Sequence, residues 1–155
     1  MKFKMILSFL LLIGAAKCSA QEGMDTDGLN NLNNVYLYSL KEYCNSLDSS
    51  TVKVIYVKRE DFIGESWPKE IRGFKIIYLE TYKKVIEENG GKITLVGISP
   101  LELKEGIFSV GVIPFSASYK KKVLYLTNGG GLSVIFQYDA EKKGLLYKSK
   151  KWSGL

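Results

Sequence analysis

The chain of 155 residues contains no histidine. That absence removes every mechanism that uses imidazole as general base, nucleophile relay or metal ligand. Cysteine is almost as scarce, with Cys18 and Cys44 the only two, so soft-metal chemistry and a disulfide framework both lack ligands. No apolar run reaches the roughly 20 residues that a spanning helix requires. The longest, Met5 to Ile13, rises only about 14 Å as a helix against a bilayer core of about 30 Å. What is present is 46% hydrophobic, 25% charged and 12% aromatic residues, the balance of one ordinary globular domain.

The first twenty residues read as an export signal. Lys2 and Lys4 precede the apolar run, and small residues follow it up to Cys18-Ser19-Ala20, which predicts a signal peptide over 1–20 cleaved after Ala20. A lipoprotein signal acylated at Cys18 is the rival reading, but Lys17 stands where that processing wants a small residue. Cleavage leaves a single domain over 21–155 with Cys44 as its one cysteine, so no intramolecular disulfide forms and stability must come from packing. The expected location is periplasmic or extracellular.

Removing residues 1–20 takes away three lysines and lowers the net charge from +6 to +3. What remains is uneven. Residues 21–65 hold eight acids and four bases, whereas residues 66–155 hold eight acids and fifteen bases, so an anionic partner should meet the C-terminal part.

Leu29, Leu32, Tyr36, Leu40, Tyr43 and Leu47 recur at intervals of three and four, which predicts an amphipathic helix over about 28–48 with Asp27 as N-cap. Thr51–Val57 and Phe74–Leu79 read as strands, and Thr81–Asn89 as a short helix stopped by Gly90-Gly91. From Lys92 onward the pattern is almost all strand, at 92–99, 107–119, 122–127, 132–139 and 145–152. Short connections imply antiparallel neighbours, and Asn128-Gly129-Gly130-Gly131 reads as a hairpin turn, not a phosphate cradle, because a strand follows it. In the longest strand Phe108, Val110 and Val112 lie on one phase and Ile113, Phe115, Ala117 and Tyr119 on the other, so a bulge, break or edge is expected near Pro114. The fold class is therefore α+β: the N-terminal amphipathic helix packed on a curved, mainly antiparallel sheet with a C-terminal meander, in outline like cystatin-like or NTF2-like folds.

Cys44 sits on the edge of the apolar helix stripe, where burial is expected; as a nucleophile it would lack a base. The segment from Lys58 to Gly73 is longer than most connections and crowds Glu60, Asp61, Glu65 and Glu70 around Trp67. Paired carboxylates are the one hydrolase chemistry that manages without histidine, but nothing in this spacing sets two of them at the required separation. No catalytic residue, metal site or cofactor is assigned. The binding signal is a set of lysines interleaved with aromatics: Lys120, Lys121, Lys122, Lys148, Lys150, Lys151 and Trp152, with Trp67 from the long loop. Such residues hold anionic sugars or acidic surfaces, and lysines on strands also guard sheet edges.

The signal ending in Ala20-Gln21, the Asn128–Gly131 run, Phe136-Gln137-Tyr138-Asp139 and the terminal Lys150-Lys151-Trp152-Ser153-Gly154 together resemble small uncharacterised exported proteins of Bacteroidota, most closely over the last sixty or so residues. The resemblance implies export and a single domain, and transfers no site residue. The expected function is a non-enzymatic exported binding domain whose basic, aromatic-containing C-terminal sheet meets an anionic glycan, an envelope surface or a protein. Nucleic acid is not an expected partner after export. A periplasmic inhibitor or immunity-type protein is the alternative, and a carboxylate-dependent hydrolase the third reading.

Overall fold

A computed structural model describes residues 32–154. The signal peptide, the Ala20 junction, Asp27 and the first turn of the expected helix lie outside the described residues. The elements are α1 (Leu32–Asn45), β1 (Val54–Lys58), β2 (Glu70–Ile71), β3 (Phe74–Leu79), α2 (Lys83–Glu88), β4 (Lys92–Ile98), β5 (Glu102–Lys104), β6 (Ile107–Lys120), β7 (Val123–Asn128), β8 (Gly130–Asp139) and β9 (Gly144–Gly154). The strands form one open, curved sheet in the order β2-β3-β1-β4-β6-β8-β9, with β5 and β7 also pairing β6.

The helix α1 buries Val35, Ser39, Leu40, Tyr43 and Cys44. The Ser39 hydroxyl donates to the Val35 carbonyl at 2.7 Å, so the one buried polar side chain on this face is satisfied within the helix. Past Asn45 the chain turns. The Ser46 hydroxyl donates to the Tyr43 carbonyl at 2.7 Å, and the Asp48 carboxylate accepts from the Ser50 backbone N–H and hydroxyl at 2.9 and 2.7 Å. These local bonds compete with helix continuation, and they end α1 short of the expected residue 48. The same two donors hold the Asp48 carboxyl below the usual carboxylate range.

The strands from Lys92 onward pair antiparallel, as their short connections imply, but β1, β3 and β4 are parallel to one another. β1 lies between β3 and β4 and pairs both in parallel, and α2 lies in the connection from β3 to β4. Strands in such an arrangement are covered on both faces and carry nearly continuous apolar runs. Ile55, Val57, Ile76, Val96 and Ile98 pack with α1 on one face; Leu79, Ile93 and Leu95 pack with Ile86 of α2 on the other.

The long strand β6 carries no bulge at Pro114. Its pairing with β4 runs without a shift from Lys92↔Ser118 to Ile98↔Val112. The change of phase has another cause: Phe108, Val110 and Val112 belong to the α1 core, whereas Ala117 and Tyr119 belong to the α2 core. The two helices lie on opposite faces near opposite ends of β6, so the face it buries changes while its register does not. Pro114 is tolerated for a reason visible in the ladder. Ser99 N–H donates to the Gly111 carbonyl at 2.8 Å, which sets odd β6 residues to bond towards β4 and even ones to the other side. On that other side β8 pairs β6 only up to Val112, and β7 starts at Phe115. The missing N–H of Pro114 falls in that gap.

The glycine run is likewise not a hairpin turn. β7 and β8 pair β6 one after the other and do not pair each other, so the expected meander is interrupted and Gly129–Gly131 is the kink between two successive partners of β6. The glycines are needed for close approach. A Cβ at Gly130, whose φ is +127°, would strike the Ser153 carbonyl oxygen, and one at Gly131 would lie 2.9 Å from the Val112 oxygen. The register shift of the sheet sits elsewhere, between Ile135 and Phe136 against β9, where Lys148 is the extra residue.

Candidate functional site

The long loop after β1 turns its apolar side chains inward. Ile63, Trp67 and Ile71 join the α1-side core, and Phe62 stacks on Tyr36 with ring centroids 4.0 Å apart. Trp67 is 8% exposed and meets Tyr78 edge-on at 6.1 Å, while the Tyr78 hydroxyl donates to the Pro68 carbonyl at 2.9 Å. Trp67 is thus a core residue of the loop and offers no ring face to a partner. Burial pushes the Tyr78 hydroxyl up to about 12.

Of the loop's carboxylates Glu60 and Asp61 line one cavity, which Glu65 and Glu70 do not join. Glu60 pairs with Lys58 at 2.6 Å, and this hydrogen bond raises the Lys58 pKa. Glu65 pairs with Arg59, and Glu70 lies exposed on β2. Asp61 and Glu80 share a polar cavity of about 420 Å³ with Arg59, Glu60 and Ile63 beside the carboxyl ends of β1 and β3. Among the described residues no group of three histidine, cysteine, aspartate or glutamate side chains is placed to hold a metal ion. Cys44 is 1% exposed, and burial pushes its thiol up to about 12, away from nucleophilic reactivity.

The C-terminal lysines do not form one patch. Val134 pairs both Val110 on β6 and Lys150 on β9, so Lys150 is level with Val110, ten residues along β6 from Lys120. At roughly 3.3 Å per residue that is about 33 Å of strand. The clusters also divide by face. Lys150 reaches Glu42 of α1 at 2.8 Å, Tyr147 lies 5.4 Å from Tyr38, and Trp152, still 47% exposed, lies 5.9 Å from Tyr43. These three side chains latch β9 to α1. Lys151, one residue on from Lys150, stands on the opposite face, and Lys148 occupies the bulge. Burial, with Glu42 and Tyr147 nearby, pushes the Tyr38 hydroxyl up to about 12.

Lys121 and Lys122 form the β6–β7 turn with φ of 48° and 67°. Two-residue hairpin turns of this kind favour Asn-Gly or Asp-Gly. The corresponding turns at Arg72-Gly73 and Glu105-Gly106 place glycine second.

A further surface escaped the sequence reading. Where α2 covers one face of the β4–β6–β7 end, the other face is open among the described residues and is built of cross-strand rungs: Thr94–Ser116–Thr127, then Lys92–Ser118–Tyr125, then Lys120–Val123. Thr94, Lys92, Tyr125, Thr127, Lys120 and Val123 are all exposed. The alternation of Ser116 and Ser118 with Phe115, Ala117 and Tyr119 was the signal available. It marks a strand with one polar face.

Beside Lys92 and Thr94 a cavity of about 300 Å³ opens where β1 and β4 splay: they pair only at Tyr56↔Leu95 and Val57↔Val96. Tyr43, Leu47 and Val52 form its apolar wall, and among the described residues Lys92 is the one charged residue lining it.

Among the described residues no helix is long and apolar enough to cross a membrane. No protein-family model, curated protein or solved structure matches this chain.

Proposed function

We propose that the protein is an exported, non-enzymatic domain that binds an anionic macromolecular partner through its C-terminal strands. One observation carries the reading: β6, β7 and β9 contain no acidic residue, while they and the β6–β7 turn supply six lysines beside exposed Tyr125, Tyr147 and Trp152. Lys150 is engaged by Glu42, and the other five cations with the aromatic faces favour an anionic partner. The acids Glu60 and Glu65 of the long loop are instead engaged by Lys58 and Arg59. Export rests on the leader pattern of residues 1–20, and the resemblance to small exported proteins of Bacteroidota agrees with it. The finer likeness, a helix held in a curved sheet after the fashion of cystatin-like or NTF2-like folds, belongs to the same proposal.

The test is retention of the purified protein on cell-envelope fractions and immobilised acidic glycans across a salt gradient. Charge reversal at Lys120, Lys121, Lys122, Lys148 and Lys151 together is expected to abolish retention. Retention indifferent to both salt and reversal would exclude an electrostatic partner. A second reading, an inhibitor or immunity-type protein, is favoured by the outer edge of β9, eleven residues long with no strand beyond it among the described residues, since a free edge accepts a partner's strand. Co-purification with one stoichiometric protein, independent of glycan, distinguishes it.

A further inference from the structure

Resting on the binding role proposed above, we infer that the open face of the β4–β6–β7 end is the ligand site, and that its ligand is an acidic polysaccharide. Two cross-strand rungs define it. Thr94–Ser116–Thr127 presents three hydroxyls side by side, and Lys92–Ser118–Tyr125 presents an ammonium, a hydroxyl and a phenol ring. Directly opposed side chains on neighbouring strands stand about 5 Å apart, so the six groups cover an area comparable to one or two sugar rings. Lys120 extends the same face, and Lys121 and Lys122 lie in the turn beyond it.

The chemistry selects the occupant. No acidic residue stands on these rungs, and Lys92 with Lys120 gives the face a positive charge that no acidic side chain pairs with among the described residues. Hydroxyl side chains donate to and accept from sugar hydroxyls, the exposed Tyr125 ring supplies an apolar platform, and the lysines meet carboxylate or sulfate. A lipid surface fits less well. The face carries one aliphatic side chain, Val123, beside hydroxyls, whereas membrane-surface elements present an apolar face that sinks below the headgroups. The underside is fixed: Ala117, Tyr119 and Leu124 pack with α2, which holds the rungs flat and in register. The cavity between β1 and β4 opens at Lys92 and Thr94, at the margin of this face.

The experiment is an NMR titration of the full chain with an oligogalacturonate tetramer and, separately, a heparin-derived tetrasaccharide. Maltotetraose and vesicles of phosphatidylglycerol and phosphatidylcholine are the controls. The expected result is amide shifts centred on residues 92–94, 116–118 and 125–127 with either acidic sugar. Lys92→Glu and Tyr125→Ala should each weaken binding by about tenfold or more, and Lys142→Glu/Lys143→Glu, in the β8–β9 turn, should leave it within about twofold. All these positions are exposed, and unchanged thermal melting of each variant shows that folding is intact. Shifts confined to β9 and abolished by Lys148→Glu/Lys151→Glu overturn this site while leaving the binding role standing. Binding to vesicles alone overturns the ligand class. Equal binding of maltotetraose overturns the charge argument. Failure of every anionic probe, envelope fractions included, overturns the binding role itself.

Discussion

The two ends of the sheet are built to different rules. In the parallel part, neighbours along a strand are buried on opposite faces: Val96 packs towards α1 and Leu95 towards α2. In the antiparallel part formed by β8 and β9, Val134 is buried under α1 while Ile135, the next residue, lies on a face that no helix covers among the described residues. Burial on two faces explains why β1, β3 and β4 read as short apolar runs, and burial on one explains the clean alternation in β8. The lesson is that a strand's pattern reports what covers it locally, and β6, which runs through both regimes, changes pattern without changing register.

The largest expected effect separates these regimes directly. Leu95→Ala should cost about 2–5 kcal/mol, Val96→Ala somewhat less, and Ile135→Ala under about 1 kcal/mol, measured by urea unfolding. Equal losses at Leu95 and Ile135 would erase the distinction. Next comes alkaline pH, which acts mainly on α1. Burial raises Tyr38, Tyr43 and Cys44 to about 12 from ordinary values of 10.0, 10.0 and 9.0. The unfolded chain therefore releases these protons first, so the stability they contribute is complete below about pH 9 and falls as pH rises towards 12. Denaturation midpoints across that range should decline, and Cys44→Ala should remove the earliest part of the decline.

A smaller effect belongs to the turns. Lys122→Gly should stabilise by about 1 kcal/mol by relieving a left-handed lysine, whereas Gly106→Ala should cost a similar amount. Thermal midpoints of the two variants should move in opposite directions. Smallest is the latch between β9 and α1: Lys150→Ala, which breaks the pair with Glu42, should cost less than about 1 kcal/mol and become indistinguishable from wild type in high salt.

Much of this architecture was legible in the chain. Phe74–Leu79 is a strand at its expected bounds, the β-rich C-terminal part is present, and Cys44 is buried, because apolar periodicity and turn residues act locally. What escaped depended on partners distant in sequence. The parallel pairing of β1 with β3 and β4 has no local signature, and the Gly129–Gly131 kink resembles a turn because glycine serves both purposes. Trp67 and the surface lysines looked alike as binding residues. Only folding distinguishes a tryptophan tucked against Tyr78 from lysines spread along 33 Å of strand and over two faces, and only pairing assembles Lys92, Ser118 and Tyr125 into one rung.

The exchange of buried face along β6 is the claim on which the open rung surface depends, and cysteine accessibility tests it most directly. In a Cys44→Ala background, single changes Ser109→Cys, Val110→Cys, Ser116→Cys, Ala117→Cys and Ser118→Cys would be reacted with a thiol reagent under native conditions. The account predicts rapid labelling at 109, 116 and 118 and protection at 110 and 117, so that reactive positions are odd before Pro114 and even after it. Reactivity that keeps to one parity along the whole strand would contradict it.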